Sequence, residues 1–473
     1  MSGRPIRNEK LTGRAVYLRS LGAAGTVTGS KHLLITPGFN LLIDCGLFQG
    51  LKQLREENWE RLSVDASSID AMILTHAHLD HCGYIPLLVK QGFKGKIFMS
   101  EPTRYLAELI LRDSAKLQEE DAWKANKHHY TKHHPAMPLY DTADVEAALP
   151  FFRTVGLDAT FRLSDHIWFR FYKAGHIQGA CSVDITCYGK SILFSGDIGR
   201  DYSELMPPPD HPAQADFVIM ESTYGDRLHD KGSVADELAR VINDTIARDG
   251  NLLVPCFAVG RAQEVIHLLY KLKQQKTIPP MLPVYLDSPM ASAAGEALLS
   301  YPDWITIGKN ECVQMFNGIT INQDFDGTER IIKQRRSKII LAASGMLTGG
   351  RVLEYLKHYL TDDRNTILII GFQAGGTRGR ALLNGAHELK IHGRYYPVRA
   401  RVHEIGGLSA HADQAGLLTW LRAFTPKPGH VYLVHGEPSA MDCLRVKIYD
   451  ELGINAKIAI KDRDELLFEI ERE

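Results

Sequence analysis

Three histidines and one aspartate lie within one six-residue stretch of the chain, at His76, His78, Asp80 and His81. Imidazole and carboxylate groups are the ligands of catalytic zinc sites. His76 and His78 are two residues apart, so both side chains point to the same side of an extended loop. Asp80 and His81 follow at a bend and can face a second ion. The spacing therefore predicts a metal-binding loop, with a histidine-rich surface loop as the alternative.

Apolar runs before this stretch, and before three other polar residues, predict the strands that position them. Residues 71–75 (AMILT) are typical of a buried strand, and an amphipathic helix is expected from about Gly83 to Gln91. Asp44, His176 and Asp197 also follow apolar runs beside a glycine. Such a residue alone is more often part of a turn or a cap. Beside the histidine stretch, these three become candidate ligands on the rim of a sheet scaffold.

The hydrophobic pattern along the chain predicts an α/β protein. The first 45 residues and residues 161–200 have the short apolar runs and glycine-containing turns of β structure. From about residue 226 to 390, helical and buried-strand patterns alternate, which is the signature of a parallel sheet flanked by helices. A proline-rich connection at 206–215 separates the two regions.

Composition excludes several classes of protein. The 473 residues include 55 Lys and Arg against 56 Asp and Glu, so a polyanion must be bound through a local basic patch rather than by bulk charge. A hydrophobic content of 44% excludes extended disorder. The seven cysteines are scattered, which favours a reducing cytoplasm, and neither a signal peptide nor a membrane span is expected.

The order of the candidate ligands along the chain resembles that of the metallo-β-lactamase superfamily. That resemblance implies an αββα sandwich with a two-zinc site at one edge. Three further segments resemble motifs A, B and C of the β-CASP nucleases, with Glu221, His411 and His435 as the motif residues. The phrases at 254–261, 286–290, 344–347 and 371–374 match the same family, so the resemblance covers nearly the whole chain.

The resemblance also implies how the chain is divided. Residues 1–208 would form the first part of the metallo-β-lactamase domain and 209–395 an inserted β-CASP α/β domain. Residues 396–473 would return to the metallo-β-lactamase domain. The chain departs from its relatives in lacking the N-terminal KH domains of archaeal members and the C-terminal extension of RNase J. It also has Arg351 where proline is usual.

Ligand roles follow from the resemblance, and ligand softness favours two zinc ions per chain over manganese or iron. Asp44 would hydrogen-bond a ligand histidine instead of binding metal. Asp197 would bridge the two ions. The first ion would take His76, His78 and His176, and the second Asp80, His81 and His435.

Catalytic roles are implied in the same way. His411 would be the general acid for the leaving 3′-oxygen, Glu221 would hold its imidazolium, and Asp80 would act in catalysis as well as in metal binding. A hydroxide would attack phosphorus in a two-metal mechanism that leaves a 3′-hydroxyl and a 5′-phosphate. A histidine at motif C, here His435, is typical of RNA-processing members. The expected substrate is therefore single-stranded RNA, cut endonucleolytically, and the family implies a homodimer.

Three alternatives stay open at this stage. They are a 5′–3′ exoribonuclease of the same family, a hydrolase of small thioesters or lactones from the superfamily, and a non-catalytic subunit of a processing complex. The insert of about 170 residues would cap an open small-molecule site. Non-catalytic relatives usually lose ligands, whereas this chain keeps all of them.

RNA contacts are predicted at Ser344, which follows an apolar strand, and in the glycine-rich turn that contains Thr377, Arg378 and Arg380. Backbone N–H groups of such a turn can cradle a phosphate. The basic run at 330–338 is interpreted as a solvated helix face.

Overall fold

The computed structural model describes residues 13–129, 131, 133–229, 232–257 and 259–471. None of the helices within these ranges combines the length and the apolar composition that a membrane span needs. The strands are, in chain order, β1 (Ala15–Gly22), β2 (Lys31–Thr36), β3 (Phe39–Ile43), β4 (Ala71–Ile73), β5 (Lys96–Met99), β6 (Phe152–Thr154), β7 (Phe161–Ser164), β8 (Ile167–Lys173), β9 (Cys181–Cys187), β10 (Lys190–Phe194), β11 (Phe217–Glu221), β12 (Leu252–Pro255), β13 (Val284–Asp287), β14 (Thr320–Asn322), β15 (Ile339–Ala342), β16 (Thr366–Ile369), β17 (Glu388–Ile391), β18 (Arg394–Pro397), β19 (Arg401–Glu404), β20 (His430–Val434), β21 (Lys457–Ile458) and β22 (Asp464–Glu469).

The helices lie on both sides of the sandwich sheets and around the third sheet. They are α1 (Lys52–Glu57), α2 (Leu79–Cys82), α3 (Ile85–Lys90), α4 (Glu101–His128), α5 (Thr142–Ala148), α6 (Val234–Ile246), α7 (Arg261–Gln274), α8 (Ala291–Ser300), α9 (Lys309–Asn317), α10 (Phe325–Lys333), α11 (Val352–Tyr359), α12 (Arg378–Leu383), α13 (Gln414–Arg422) and α14 (Pro438–Leu452).

Two seven-stranded sheets pack face to face. The first has the order β22-β1-β2-β3-β4-β5-β6 and the second the order β21-β20-β11-β10-β9-β8-β7. Alternate residues of their strands fill the space between them, among them Ile43, Ile73, Val183 and Ile219, each at most 1% exposed. Since side chains alternate across a strand, the other residues of the same strands face helices on the outside.

Both outer faces of this sandwich are covered by helices. Leu74 and Met72 of the first sheet share a core with Leu88 of α3 and Leu111 of α4. In the second sheet, strand β11 packs in the same way against α13 and α14. The layers are therefore helix, sheet, sheet and helix, which confirms the predicted αββα sandwich.

A third sheet carries the order β14-β13-β15-β12-β16-β19. All its neighbouring strands are parallel, and helices such as α7 and α11 cover its two faces. The alternation predicted from about residue 226 is therefore confirmed as an α/β domain.

Strand pairing places the joins between the domains later than the predicted boundaries at 209 and 396. Strand β11 lies in the second sandwich sheet between β10 and β20, although it follows residue 209. Strand β19 pairs with β16 of the third sheet, although it follows residue 396. The proline-rich connection at 206–215 links β10 and β11, which are neighbouring strands of one sheet, and does not separate two domains.

The predicted helix from Gly83 to Gln91 is also shifted and divided. Gly83 ends the short helix α2, which already begins at Leu79 and carries Asp80 and His81. A second helix, α3, begins at Ile85 with Pro86 in its first turn, where the missing N–H of proline costs nothing. Asp80 and His81 are therefore held in a helical turn and not at a bend of a loop.

Candidate metal centre and active site

The candidate ligands come from loops at one edge of the sandwich. Strand β4 precedes His76 and His78, β8 precedes His176, β10 precedes Asp197, and β20 ends immediately before His435. His435 has a φ of 49°, in the left-handed region that non-glycine residues seldom adopt. Such backbone conformations persist where the surroundings hold the residue for a function.

Three imidazole nitrogens converge in the first half of the site. The Nε2 atoms of His76 and His176 each lie 3.1 Å from Nδ1 of His78. Asp197 Oδ2 lies 3.4 Å from His76 Nε2 and 3.5 Å from His176 Nε2. The four residues thus present one ligand atom each to a common point.

The second half of the site lies on the other side of Asp197. His81 Nε2 is 3.3 Å from both His435 Nε2 and Asp197 Oδ1. Asp80 Oδ2 is 3.5 Å from His435 Nε2. Because its two oxygens face the two halves, Asp197 lies where a bridging carboxylate would have to lie.

The donor set fits a pair of metal ions. Burial, with a further contribution from His81, holds the pKa of His76 well below its ordinary value, and burial also lowers the pKa of His78 to about 4. Neutral imidazoles keep a lone pair for a metal. Asp197 Oδ1 is buried and has no hydrogen-bond partner within the described residues. Among the described residues, only the imidazoles of His81 and His435 face this oxygen, at 3.3 and 3.6 Å, and a cation there would stabilise the buried carboxylate.

Asp44 holds His81 in place from behind. Its Oδ2 lies 2.7 Å from His81 Nδ1, and its two oxygens also accept hydrogen bonds from the backbone N–H and the hydroxyl of Thr75 at 2.8 and 2.9 Å. This contact fixes the proton on Nδ1 of His81 and leaves Nε2 directed at the site. Asp44 itself is 2% exposed and contacts no other candidate ligand within the described ranges.

Replacing Asp44 with asparagine is expected to weaken metal binding by about 10- to 100-fold, the usual effect of losing a carboxylate behind a ligand histidine. The amide removes the negative charge and can present an N–H to the His81 N–H. Competition with a chelating dye measures the change. Asp184→Asn is the matched control, because Asp184 is a buried carboxylate that contacts Arg170 and Ser191 instead. Equal metal affinity in Asp44→Asn and the parent chain would contradict this role.

Glu221 and His411 form a second pair beside the metal centre. Nδ1 of His411 lies 3.0 and 3.2 Å from the two Glu221 oxygens. Glu221 is fully buried, and backbone N–H groups of Ile198 and Thr223 donate to it at 2.7 and 3.3 Å. These donors fix the orientation of the Glu221 carboxylate, which places it as the acceptor for an Nδ1 proton of His411. His411 Nε2 then faces the site, 4.0 Å from Asp197 Oδ2.

A cavity of about 260 Å³ joins these groups to the third-sheet domain. The catalytic edge contributes His78, Asp80, His411 and others to its lining. From the third-sheet domain and its flanking loops come the side chains of Phe257, Arg261, Met346 and Phe372. Substrate in this cavity would therefore contact both domains.

The chain matches three family descriptions. Residues 26–248 match the "Metallo-beta-lactamase superfamily", 262–382 the "Beta-Casp domain" and 395–459 the "Zn-dependent metallo-hydrolase RNA specificity domain". A ribonuclease from Thermus thermophilus is 35% identical over 426 residues, which are 88% of this chain and 92% of that protein. The chain belongs to the β-CASP ribonuclease family. It is accordingly a metal-dependent hydrolase, and the resemblance inferred from the motifs is confirmed.

Two other relatives are named for different processes. The transcription termination factor FttA of Methanocaldococcus jannaschii is 31% identical, with 89% of this chain and 66% of that protein aligned. Cleavage and polyadenylation specificity factor 73 of Drosophila melanogaster is 30% identical, over 94% of this chain and 63% of that protein. A crystal structure of an Enterococcus faecalis protein of unknown function aligns with a TM-score of 0.51 at 11% identity, covering 96% of this chain and all of the other, and supports the fold alone.

The residues predicted to contact RNA are engaged in the β-CASP domain itself. Ser344 Oγ contacts Thr348 and Gly349 in its own turn. Thr377 caps helix α12 by accepting from the Arg380 N–H. None of the four residues lines the cavity within the described part of the chain.

The two arginines of the glycine-rich turn have separate surroundings. Arg378 donates to the carbonyl oxygens of Lys390, Leu347 and Thr348, so its guanidinium braces the turn. Arg380 lies over the Phe372 ring, 5.4 Å from its centroid, and 3.5 Å from Glu437. Through Phe372, which lines the cavity, Arg380 is the nearer of the two to the substrate path.

Sequence reasoning named no role for several side chains beside the β-CASP catalytic centre. Thr223 Oγ1 lies 3.1 Å from His435 Nδ1, and the Phe257 ring is 5.8 Å from the His78 ring. Arg261, which is partly buried, also lines the cavity and pairs with Glu264 at 2.6 Å. All three lie inside segments that match family motifs, at 220–225 and 254–261. Their position within these motifs is the sequence feature that could have identified them.

Proposed function

We propose that the protein is a zinc-dependent endoribonuclease that hydrolyses phosphodiester bonds of single-stranded RNA and leaves a 3′-hydroxyl and a 5′-phosphate. The observation that carries the proposal is the pair formed by His411 and Glu221. A general acid must lie beside the reacting phosphate, and His411 Nε2 faces the candidate metal centre, 4.0 Å from Asp197 Oδ2.

Two zinc ions, when bound, would activate a water molecule at neutral pH and offset charge on the phosphoryl oxygens. His411 gives a proton from Nε2 to the leaving 3′-oxygen. Glu221, behind Nδ1, stabilises the imidazolium before this transfer and holds the ring in the productive orientation. Asp80 lines the cavity and would accept the proton of the attacking water.

The cavity supports single-stranded RNA as the substrate. Its walls come from two domains, and a base-paired duplex could not enter a slot closed on two sides. The seven cysteines are free thiols and six of them are buried, which supports the reducing cytoplasm as the compartment.

A single-stranded RNA labelled at both ends tests the proposal, with the zinc-loaded protein beside its Asp197→Ala and His411→Ala variants. Internal cuts with 5′-phosphate ends, absent from both variants, are expected. Release of mononucleotides from the 5′ end alone would assign the exoribonuclease mode instead. Turnover of a thioester or lactone with no RNA cleaved would overturn the proposal.

A further inference from the structure

One wall of the active-site cavity is formed by helix α4 (Glu101–His128) and carries a carboxylate that the mechanism does not use. Ile110, Asp113 and Leu117 follow one another at helical spacing and line the cavity that also contains His78 and His411. An acidic group here is unexpected, because the cavity must admit a polyanion. A carboxylate repels phosphate, so its function must lie with another part of the RNA.

Asp113 is free to bind a ligand. Its half-buried side chain makes no hydrogen bond and no ion pair within the part of the chain that the structure describes. Two cations act on its charge: Lys116 is exposed on the same helix and forms no ion pair with it within the described ranges, and Arg351 donates instead to Asp287 and to the carbonyl oxygens of Asn322 and Gln323. Both oxygens of Asp113 are therefore available as acceptors.

The neutral polar groups on the same helix face are already engaged. Tyr140 and Gln118 both donate to Ser114 Oγ, at 2.8 and 3.1 Å, and Gln118 Oε1 accepts from the Leu139 N–H. Asp121 lies about two turns after Asp113 on the same helix, also lines the cavity, and is exposed. Among the polar side chains of this wall, Asp113 is therefore the one that is both half-buried and available to accept hydrogen bonds.

The surroundings of Asp113 fit a nucleobase. Apolar and aromatic side chains line the cavity, among them Ile110, Leu117, Met290 and Phe257. Flat rings stack on such side chains, whereas phosphates avoid them. Single-stranded RNA presents its unpaired Watson–Crick edges to proteins that bind it. Burial raises the pKa of Asp113 to about 6, which still leaves the carboxylate ionised near neutral pH.

We propose that Asp113 recognises a guanine base beside the scissile phosphate. This inference rests on the proposed ribonuclease function. Guanine alone among the four bases presents two adjacent donors, N1–H and N2–H₂, which match the two free oxygens of a carboxylate. Adenine and cytosine present a donor beside an acceptor, and the single donor of uracil lies between two carbonyl oxygens that repel Asp113. Good bidentate contacts of this kind discriminate between bases by about tenfold or more.

The first experiment digests an unstructured RNA with a randomised segment and sequences the cut ends. We expect guanine to be enriched at one fixed position relative to the cut by the parent chain and to lose that enrichment in Asp113→Asn. The asparagine amide keeps the size of the side chain but offers one donor and one acceptor. Glu120→Gln is the control, because it removes the same charge from an exposed position of α4 outside the cavity.

A second experiment uses two RNAs that differ only in guanine or inosine at that position. Inosine lacks the N2 amino group, so the parent chain should cut it about tenfold more slowly, and Asp113→Asn should cut both alike. The ratio is measured on one enzyme preparation, so partial misfolding of a variant does not affect it. RNA cleavage without base preference, or with the same guanine preference in Asp113→Asn, would overturn this inference and leave the proposed function intact. Absence of all RNA cleavage by the parent chain would overturn both.

Discussion

Replacing Asp197 with alanine is expected to remove metal from both halves of the centre and to lower RNA cleavage by more than about 10³-fold. Loss of one oxyanion donor alone already reaches about that size in other hydrolases. Asp197 is the shared residue, because its Oδ2 lies 3.4 Å from His76 and its Oδ1 lies 3.3 Å from His81. Without Asp197, the two candidate metal positions would be surrounded by five imidazoles and Asp80. One carboxylate does not balance the charge of two divalent ions.

Metal content per folded chain, measured by elemental analysis after gel filtration, checks this expectation separately from activity. Asp184→Ala serves as the matched control, since Asp184 is also a buried carboxylate of the second sheet but contacts Arg170 and Ser191. Full metal content in Asp197→Ala would show that the carboxylate is not shared between the two halves. Unfolding of the variant would be visible by circular dichroism and would require Asp197→Asn in its place.

The metal-binding part of the site could be predicted from the sequence because its residues are close together or stand beside glycine after apolar runs. The stretch from His76 to His81 needs no long-range information. His176 and Asp197 come within reach of the histidine stretch because their strands end at the same edge of the sandwich, and the apolar runs of β8 and β10 predicted those ends. Pairing of Glu221 with His411, 190 residues apart, came from the family resemblance and not from any spacing.

The contact partners of individual polar side chains could not be predicted from the sequence. Arg378 resembles a phosphate-binding residue in sequence, yet three carbonyl oxygens surround its guanidinium. Arg351 replaces the usual proline, and only the fold places it against the buried Asp287 carboxylate. Asp113 is unremarkable in the pattern of a long helix, because nothing local marks it as facing a cavity built from several distant segments.

Replacing His411 with alanine is expected to lower cleavage by about 10² to 10⁴-fold while leaving the bound metal unchanged. The leaving 3′-oxygen would then depart without a positioned proton donor. The metal should stay, because His411 belongs to none of the candidate ligand groups and its Nε2 lies 4.0 Å from Asp197 Oδ2, beyond hydrogen-bond distance. Single-turnover cleavage of the labelled RNA and elemental analysis of the same sample measure the two quantities together. His403→Ala is the control, since His403 is a half-buried histidine paired with Glu237 instead.

The leaving group separates an acid role for His411 from a merely structural one. An RNA with a bridging 3′-sulfur at the cut site has a leaving group that needs no proton, so His411→Ala should cleave it nearly as fast as the parent chain does. Glu221→Gln should lower cleavage of the normal RNA less than His411→Ala does, and its activity should recover in the same way on the sulfur substrate. The glutamine stabilises the His411 imidazolium less well but leaves the ring in place. If the sulfur substrate is cut as poorly as the normal one, His411 orients the RNA or the centre and does not supply the proton. If His411→Ala loses metal as well, the residue belongs to the ligand set, and the proton must come from another group in the cavity.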